Sequence, residues 1–341
     1  MNKEKKKEEI DVLKYMRENY KLDKAENCDR KLTVEEWTEY WLANYCVNLK
    51  PNTFVYYKSI VQQHIDRVLG KLLLSELTTD DVQLFINSLY HGVGTDKLSP
   101  KSIKNVHGVL HKSMSVAVKL NYVAINPVDN VVLPTIRKYE AKTLNKYQLS
   151  EFFEMIKDNE KELIFLVSIF TGMRQGELIG LTWDCINFYE GSIYLYRQLV
   201  RNKNTTEFEF TTLKNNRTRK IYPAEMIMER LKKLRELNKG NEFVFVCPSS
   251  GTHYSAAAIY KSFKRIMVKL GYPNIRFHDL RHTYAVLALQ AGDDMKALQS
   301  NLGHFSSSFT LDVYGHYTEE MQKNSAVKMT AFIRENFPNF K

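Results

Sequence analysis

Thr171-Gly172-Met173-Arg174-Gln175-Gly176-Glu177-Leu178 follows the most apolar run of the chain, Leu163 to Phe170, and breaks it with a glycine before setting an arginine and a glutamate three residues apart. On a helix that spacing puts both side chains on one face. A surface ion pair in this arrangement is worth little, whereas a guanidinium fixed by a carboxylate can be aimed at an anion. The preceding run is far shorter than the roughly 20 residues a membrane-spanning helix needs, so it reads as a buried helix.

Three further segments share this half of the chain. His278-Asp279-Leu280-Arg281-His282-Thr283 places His278 and Arg281 on one helical face. Leu302-Gly303-His304 leads through Ser306-Ser307-Ser308 into Thr310-Leu311-Asp312-Val313-Tyr314-Gly315-His316. A basic polar turn, Lys214-Asn215-Asn216-Arg217, separates two strand-like stretches, Phe208 to Leu213 and Lys220 to Tyr222, and a third strand-like stretch runs from Ser192 to Val200. His278-Asp279-x-x-His282 imitates the zinc-protease helix, but the second position is Asp rather than Glu and Arg281 would set a fixed positive charge beside the metal. His282 therefore reads as a structural histidine. Tyr314 is one of 20 tyrosines and would pass for a core residue without its neighbours. Tyr317, one turn later, is its nearest competitor.

Upstream the pattern is helical. Thr33-x-x-Glu36 is a capping box ahead of Trp37, Trp41, Leu42 and Tyr45. A second helical stretch runs from Pro51-Asn52-Thr53 through Tyr57, Ile60, Val61 and Ile65 to Gly70. Thr78-Thr79-Asp80-Asp81 caps a third, with Val82, Phe85, Ile86 and Leu89 on one face, and Ser99-Pro100 opens a fourth, carrying Ile103, Val106, Leu110 and Met114. Between Asn126 and Lys142 the periodicity lapses and Pro127, Pro134, Arg137 and Lys138 appear, the composition of a linker. The expected organisation is a charged N-terminal segment (1–31), a helical domain (32–125), the linker (126–142) and a second domain (143–341), mainly α with a small β-meander. A C-terminal helical stretch from Glu319 to Phe337 carries Met321, Val327, Met329, Phe332 and Ile333.

With 341 residues the chain can bury two cores without disulfides. Its four cysteines, Cys28, Cys46, Cys185 and Cys247, show no paired spacing, which argues against a zinc finger and fits a reducing compartment. The net charge of +10 favours a polyanionic partner. Nothing in Met1 to Glu9 leads to a signal-peptide core, so a cytoplasmic, nucleoid-associated protein without a membrane partner is expected.

In combination these segments resemble the tyrosine recombinase, or phage integrase, family, of the mobile-element integrase type. Thr-Gly-Met-Arg174-x-x-Glu177-Leu is similar to its first arginine box, His278-x-x-Arg281 to its second, Leu-Gly-His304 to its third and Tyr314 to its nucleophile box. Lys50-Pro51-Asn52-Thr53, Leu69-Gly70 and Asn126-Pro127 resemble its core-binding helical domain. The chain departs from the family at Trp183-Asp184-Cys185, where an Asp often stands two residues after the Trp, and in a lysine turn rich in Asn and Arg rather than Ser. The resemblance implies a two-domain clamp around double-stranded DNA, four protomers assembled on two DNA sites, and room for accessory DNA-bending or directionality proteins.

Attack of a phenol on a phosphodiester builds negative charge on the nonbridging oxygens, which arginine forks stabilise; Arg174 and Arg281 are the candidates. A tyrosine with a free pKa near ~10 needs a proton acceptor, for which His278 is placed. By resemblance, a lysine protonates the departing 5′ oxygen, Lys214 being preferred over Lys220; His304 bonds the phosphate; and Glu177 orients Arg174 or His278. Such a site requires no cofactor, metal or ATP. Two other functions share this fold: a DNA-binding protein that has lost catalysis, and a topoisomerase that relaxes DNA as a monomer.

Overall fold

The computed structural model describes residues 31–136, 142–203, 205–213, 216–303 and 318–337. The charged N-terminal segment up to residue 30, Lys214, His304, Tyr314 and Tyr317 lie outside the described residues. The chain divides into two compact units, Met1–Arg137 and Lys138–Lys341.

The first unit is a helical bundle whose helix starts follow the capping signals. Helix α1 (Val34–Tyr45) begins at Thr33, whose hydroxyl accepts from the Glu36 amide while the Glu36 carboxylate accepts from the Thr33 amide at 2.9 Å. Helix α2 (Pro51–Ile60) runs without a break through a π-helical turn (Val61–Ile65) into α3 (Asp66–Leu69). The π-turn inserts a residue into the helical period, which the spacing of apolar residues did not announce. Helix α4 (Thr79–His91) has a second capping box, Thr78 with Asp81, and stops at left-handed Gly92. Helix α5 (Pro100–Lys119) starts behind Ser99 with proline in its first turn. Trp37, Val61, Ile65, Leu89, Ile103, Leu110 and Met114 are fully buried together. The polar groups drawn into this interior are paired: Trp37 Nε1 donates to Ser113 Oγ at 2.9 Å, and Thr38 Oγ1 to Asp66 Oδ1 at 2.9 Å. The first part of the expected linker packs on this unit, with Val128 buried in its core and Val132 bonded to Gln83 in both directions.

The second unit is built around α7 (Glu162–Thr171), apolar nearly all round and buried accordingly. Phe152 of α6 (Lys146–Ile156), Phe165 of α7, Phe263 of α10 (Ala256–Lys269) and Phe277 meet with ring centroids 5.6 to 6.4 Å apart. Among the described residues, helices α8 (Gln175–Ile179), α9 (Glu225–Leu237), α11 (Asp279–Ala291), α12 (Met295–Leu302) and α13 (Thr318–Asn336) also belong to it.

Among the described residues, five short strands accompany the helices: β1 (Ile186–Asn187), β2 (Ser192–Leu195), β3 (Arg197–Arg201), β4 (Phe208–Thr212) and β5 (Arg219–Ile221). They form two small antiparallel sheets, β1-β2-β5 and β3-β4. The pairing differs from the expected one: the stretches on either side of the lysine turn do not pair with each other. Leu195 faces Arg219 and Arg197 faces Thr212, so the two ladders are successive parts of one long hairpin, interrupted on its returning strand by residues 213–218. The tip of that hairpin is the segment after Arg201. Helix α8 sits tightly on β3, because a Cβ on Gly180 would come within 2.7 Å of the Leu199 backbone.

Candidate active site in the second unit

Gly172 ends α7 in the left-handed conformation, φ 63°, and a Cβ there would lie 2.4 Å from the Tyr284 ring. Only glycine turns the chain so closely past α11. The turn delivers Arg174 to the start of α8, where its backbone amide donates to Glu177 Oε2 at 2.8 Å and its Nη1 to Glu177 Oε1 at 2.8 Å. Glu177 is 1% exposed. Burial alone would push its carboxyl up, but hydrogen bonds and charge from Arg219, then Arg174, hold it down at about 2, so it is a carboxylate at every working pH.

Arg219, on β5, is the residue that motif reading passed over. Its Nη1 and Nη2 fork onto Glu177 Oε1 and Oε2 at 2.9 and 2.6 Å, and its Nε donates to the Asn301 carbonyl at 2.7 Å. Strand alternation carried the signal: Arg219 and Ile221 are buried and Lys220 between them is exposed, and an arginine on the inward register of a strand needs a carboxylate. Lys220 reaches instead to Glu190 on the surface.

Arg281 is 3% exposed on α11. Its Nη1 donates to the Gly172 carbonyl at 2.7 Å and its Nη2 to the Leu302 carbonyl. Arg174 Nη2 takes the next carbonyl, Gly303, at 3.0 Å. Three arginines from three elements thus each hold one of three consecutive carbonyls, Asn301, Leu302 and Gly303, at the end of α12. A helix leaves its last carbonyls without intrahelical partners and its C-terminus partially negative, so cations are held well there. His304 is the next residue in sequence.

His278 opens α11 beside Arg281 and is exposed. Its ring meets that of His282 edge-on at 5.3 Å. Partial burial first, then His282 and Arg281, push its pKa down to about 4, against a smaller pull from Asp279, so it is neutral near pH 7. Asp279, fully buried, accepts from the Arg276 amide and Nη2 at 2.8 Å and so fixes the helix start that carries His278. His282 is 7% exposed, and burial pushes its pKa down. Asp184, the departure from the family pattern, accepts from Tyr196 Oη at 2.8 Å and pairs with Arg197.

The structure therefore brings Arg174, Glu177, His278 and Arg281 together around the α7–α8 turn and the starts and ends of α11 and α12. Glu177 bonds Arg174 and Arg219. Three guanidinium charges stand against the one Glu177 carboxylate, an excess of positive charge suited to an anion such as a phosphodiester.

Comparison with known proteins matches the second unit to the phage integrase family over residues 136–321 and the first to the N-terminal SAM-like domain of phage integrases over residues 33–90. The chain is 28% identical over 310 residues, 82% of its length and 77% of the relative's, to a XerC-like tyrosine recombinase of Caldanaerobacter subterraneus. It is 25% identical over 336 residues, 95% of its length and 89% of the relative's, to the ICEBs1 integrase of Bacillus subtilis. In fold it is similar to the Tn1549 transposon integrase in complex with transposon right-end DNA, with a TM-score of 0.76 at 21% identity over 88% of this chain and all of that one. A lambda integrase tetramer bound to a Holliday junction superposes with a TM-score of 0.61 at 17% identity, covering 87% of each chain. With more than half of its length matched, and with the arginine boxes inside that match, the chain belongs to the phage integrase family of tyrosine recombinases.

Proposed function

We propose that this protein cuts and rejoins double-stranded DNA at specific sites through a 3′-phosphotyrosine on Tyr314, in the integration or excision of a mobile element or prophage. The observation that carries the reading is the arginine cluster: Arg174 and Arg281 are held by a carboxylate and by backbone carbonyls on either side of one turn. Such groups are in place before the reaction and need no reorganisation when charge develops on the phosphate.

The Tyr314 oxygen attacks the phosphorus, the bond to the 5′ oxygen breaks, and a phosphotyrosine and a free 5′-hydroxyl result. The phenolic proton passes to His278, which is neutral near pH 7 and whose basicity rises as negative charge builds beside it. The departing oxygen takes its proton from Lys214. His304 bonds a nonbridging oxygen, and Glu177 holds Arg174 in place. A 5′-hydroxyl from the partner strand then attacks the ester, and since the bond energy is retained in it, neither ATP nor a metal ion is required. Four protomers on two DNA sites give each cut strand its partner, with accessory bending or directionality proteins acting on the DNA. The protein works in the cytoplasm at the nucleoid. Among the described residues no helix is long and apolar enough to cross a membrane.

The test uses a duplex selected from random DNA by binding to the full chain, nicked near its centre so that the cut fragment diffuses away. With EDTA and without ATP, the protein is expected to form an SDS-resistant adduct that Tyr314→Phe does not form. An adduct in the Phe variant moves the nucleophile to Tyr317 or another residue. No adduct on a duplex that is bound leaves a silent DNA-binding protein, and relaxation of plasmids lacking the site points to a topoisomerase.

A further inference from the structure

We propose that Arg219 is a positioning residue for strand cleavage, a single buried guanidinium that sets the Glu177 carboxylate and the end of α12 and through them aims Arg174 at the phosphate. The inference rests on the reading that Arg174 stabilises the reacting phosphate.

Arg219 does not face the DNA itself: its side chain is 5% exposed, and three of its nitrogens are engaged inside the protein. What it touches is the carboxylate that holds Arg174 and the end of α12. Glu177 Oε1 receives both Arg174 Nη1 and Arg219 Nη1, and Glu177 Oε2 receives both the Arg174 amide and Arg219 Nη2. The plane of the carboxylate is fixed from behind by the Arg219 fork and presented to Arg174 in front. The third bond, to the Asn301 carbonyl, ties the same group to the helix end that precedes His304. Arg219 also begins the strand that follows the Lys214 interruption. Gly303 makes room for it, since a Cβ there would lie 3.1 Å from Arg219 Cδ and 3.3 Å from Nη1.

A role in stability alone accounts poorly for this geometry. Arg219 is the buried partner of Glu177 and the larger influence on it, and a buried ion pair gains little net stability after desolvation, so stability is a weak reason for the pair to be kept. The bidentate fork fixes direction, which lysine, as a point charge, cannot do.

Adduct formation on the selected nicked duplex is measured under saturating protein from pH 5 to 8.5 for the full chain, Arg219→Lys and Arg219→Met. Displacing the carboxylate by a fraction of an ångström is expected to slow cleavage by ~10²-fold in Arg219→Met, with duplex affinity held within ~2-fold. Arg219→Lys, which keeps the charge, recovers part of the rate. The pH profile separates positioning from structural support. With one cation removed, Glu177 protonates at higher pH, Arg174 loses its anchor, and the rate falls on acidification where the wild-type rate is flat. Adding Glu177→Gln to Arg219→Met abolishes that acid limb. A residue that only holds the fold lowers the melting temperature and leaves the profile of the folded fraction unchanged. If Arg219→Met does not fold, Arg219→Lys decides alone: wild-type rate and wild-type pH profile overturn the proposal. Wild-type protein that binds the duplex but forms no adduct overturns the catalytic reading and takes this proposal with it, whereas wild-type cleavage with unaltered variants overturns this proposal only.

Discussion

The first unit hides tryptophan and aliphatic side chains behind helices whose polar exceptions are neutral or singly charged and paired; the second hides two carboxylates, Glu177 and Asp279, and two guanidiniums, Arg219 and Arg281, with Arg174 at its edge. Apolar burial stabilises in proportion to area and is indifferent to direction. Buried ions gain little net stability after desolvation, so their retention signals a need for oriented charge. The contrast separates a unit stabilised mainly by apolar burial from one that keeps oriented charge in its interior, as the proposed phosphate chemistry of Arg174 and Arg281 requires.

The comparison breaks first at Arg281. Arg281→Ala removes the clamp and leaves the buried Gly172 and Leu302 carbonyls without their donor, so adduct formation on the nicked duplex is expected to fall by ~10³-fold or more. Thermal unfolding should shift down as well, by ~1–3 kcal/mol for a lost buried partner. A folded Arg281→Ala protein that still cleaves at the wild-type rate would make the arginine cluster structural and dissolve the distinction between the units.

Trp37→Ala is the counterpart in the first unit. Trp37 is fully buried, packs on Tyr122 with tilted rings whose centroids are 5.0 Å apart, and donates to Ser113. Its truncation is expected to cost ~3–5 kcal/mol, enough to melt a small bundle. Calorimetry should lose or lower one transition while the other stays in place, and DNA affinity should drop while adduct formation per bound duplex changes little. A coincident fall of both transitions would show that the two units unfold as one.

Legibility in the sequence followed the same division. Helix starts in the first unit could be read because caps are local chemistry: Thr33 with Glu36, Thr78 with Asp81 and Ser99 before Pro100 each name their own position. The π-turn at Val61–Ile65 escaped because it alters the period without a Gly or Pro to mark it. In the second unit Arg174, Glu177, His278 and Arg281 stood out through motif spacing, but the hairpin register did not, since the β2-β5 ladder pairs residues far apart in sequence, beyond the local β3-β4 hairpin. Arg219 was hidden for the same reason. Its partner Glu177 lies 42 residues away, and only the register of β5 shows that it points inward.

The smallest expected effect sharpens the comparison most, because the two units should respond to pH with opposite signs. Glu177 is held at about 2, below its ordinary 4.5, so its contribution to the second unit is present above ~pH 4.5 and is lost as pH falls toward ~2, worth roughly 3 kcal/mol in all. Asp66 in the first unit is the reverse case. Burial pushes its carboxyl up to about 6 from 3.8, with Glu35 and Glu39 adding to the rise and the Thr38 hydroxyl opposing it. A carboxyl that binds its proton more tightly when folded stabilises the fold at low pH, and that stabilisation is lost as pH rises from ~4 through ~6. Asp66→Asn keeps an oxygen to accept from Thr38 and removes the titration. In a Trp183→Phe background, Trp37 and Trp41 are the remaining tryptophans and their fluorescence follows the first unit. Urea unfolding there should show the Asn variant more stable at pH 7, by on the order of 1 kcal/mol after allowance for solvent screening, and equal to the parent near pH 4. A constant difference across that range would trace the effect to packing rather than to the Asp66 proton, and the opposite pH signatures of the two units would be lost.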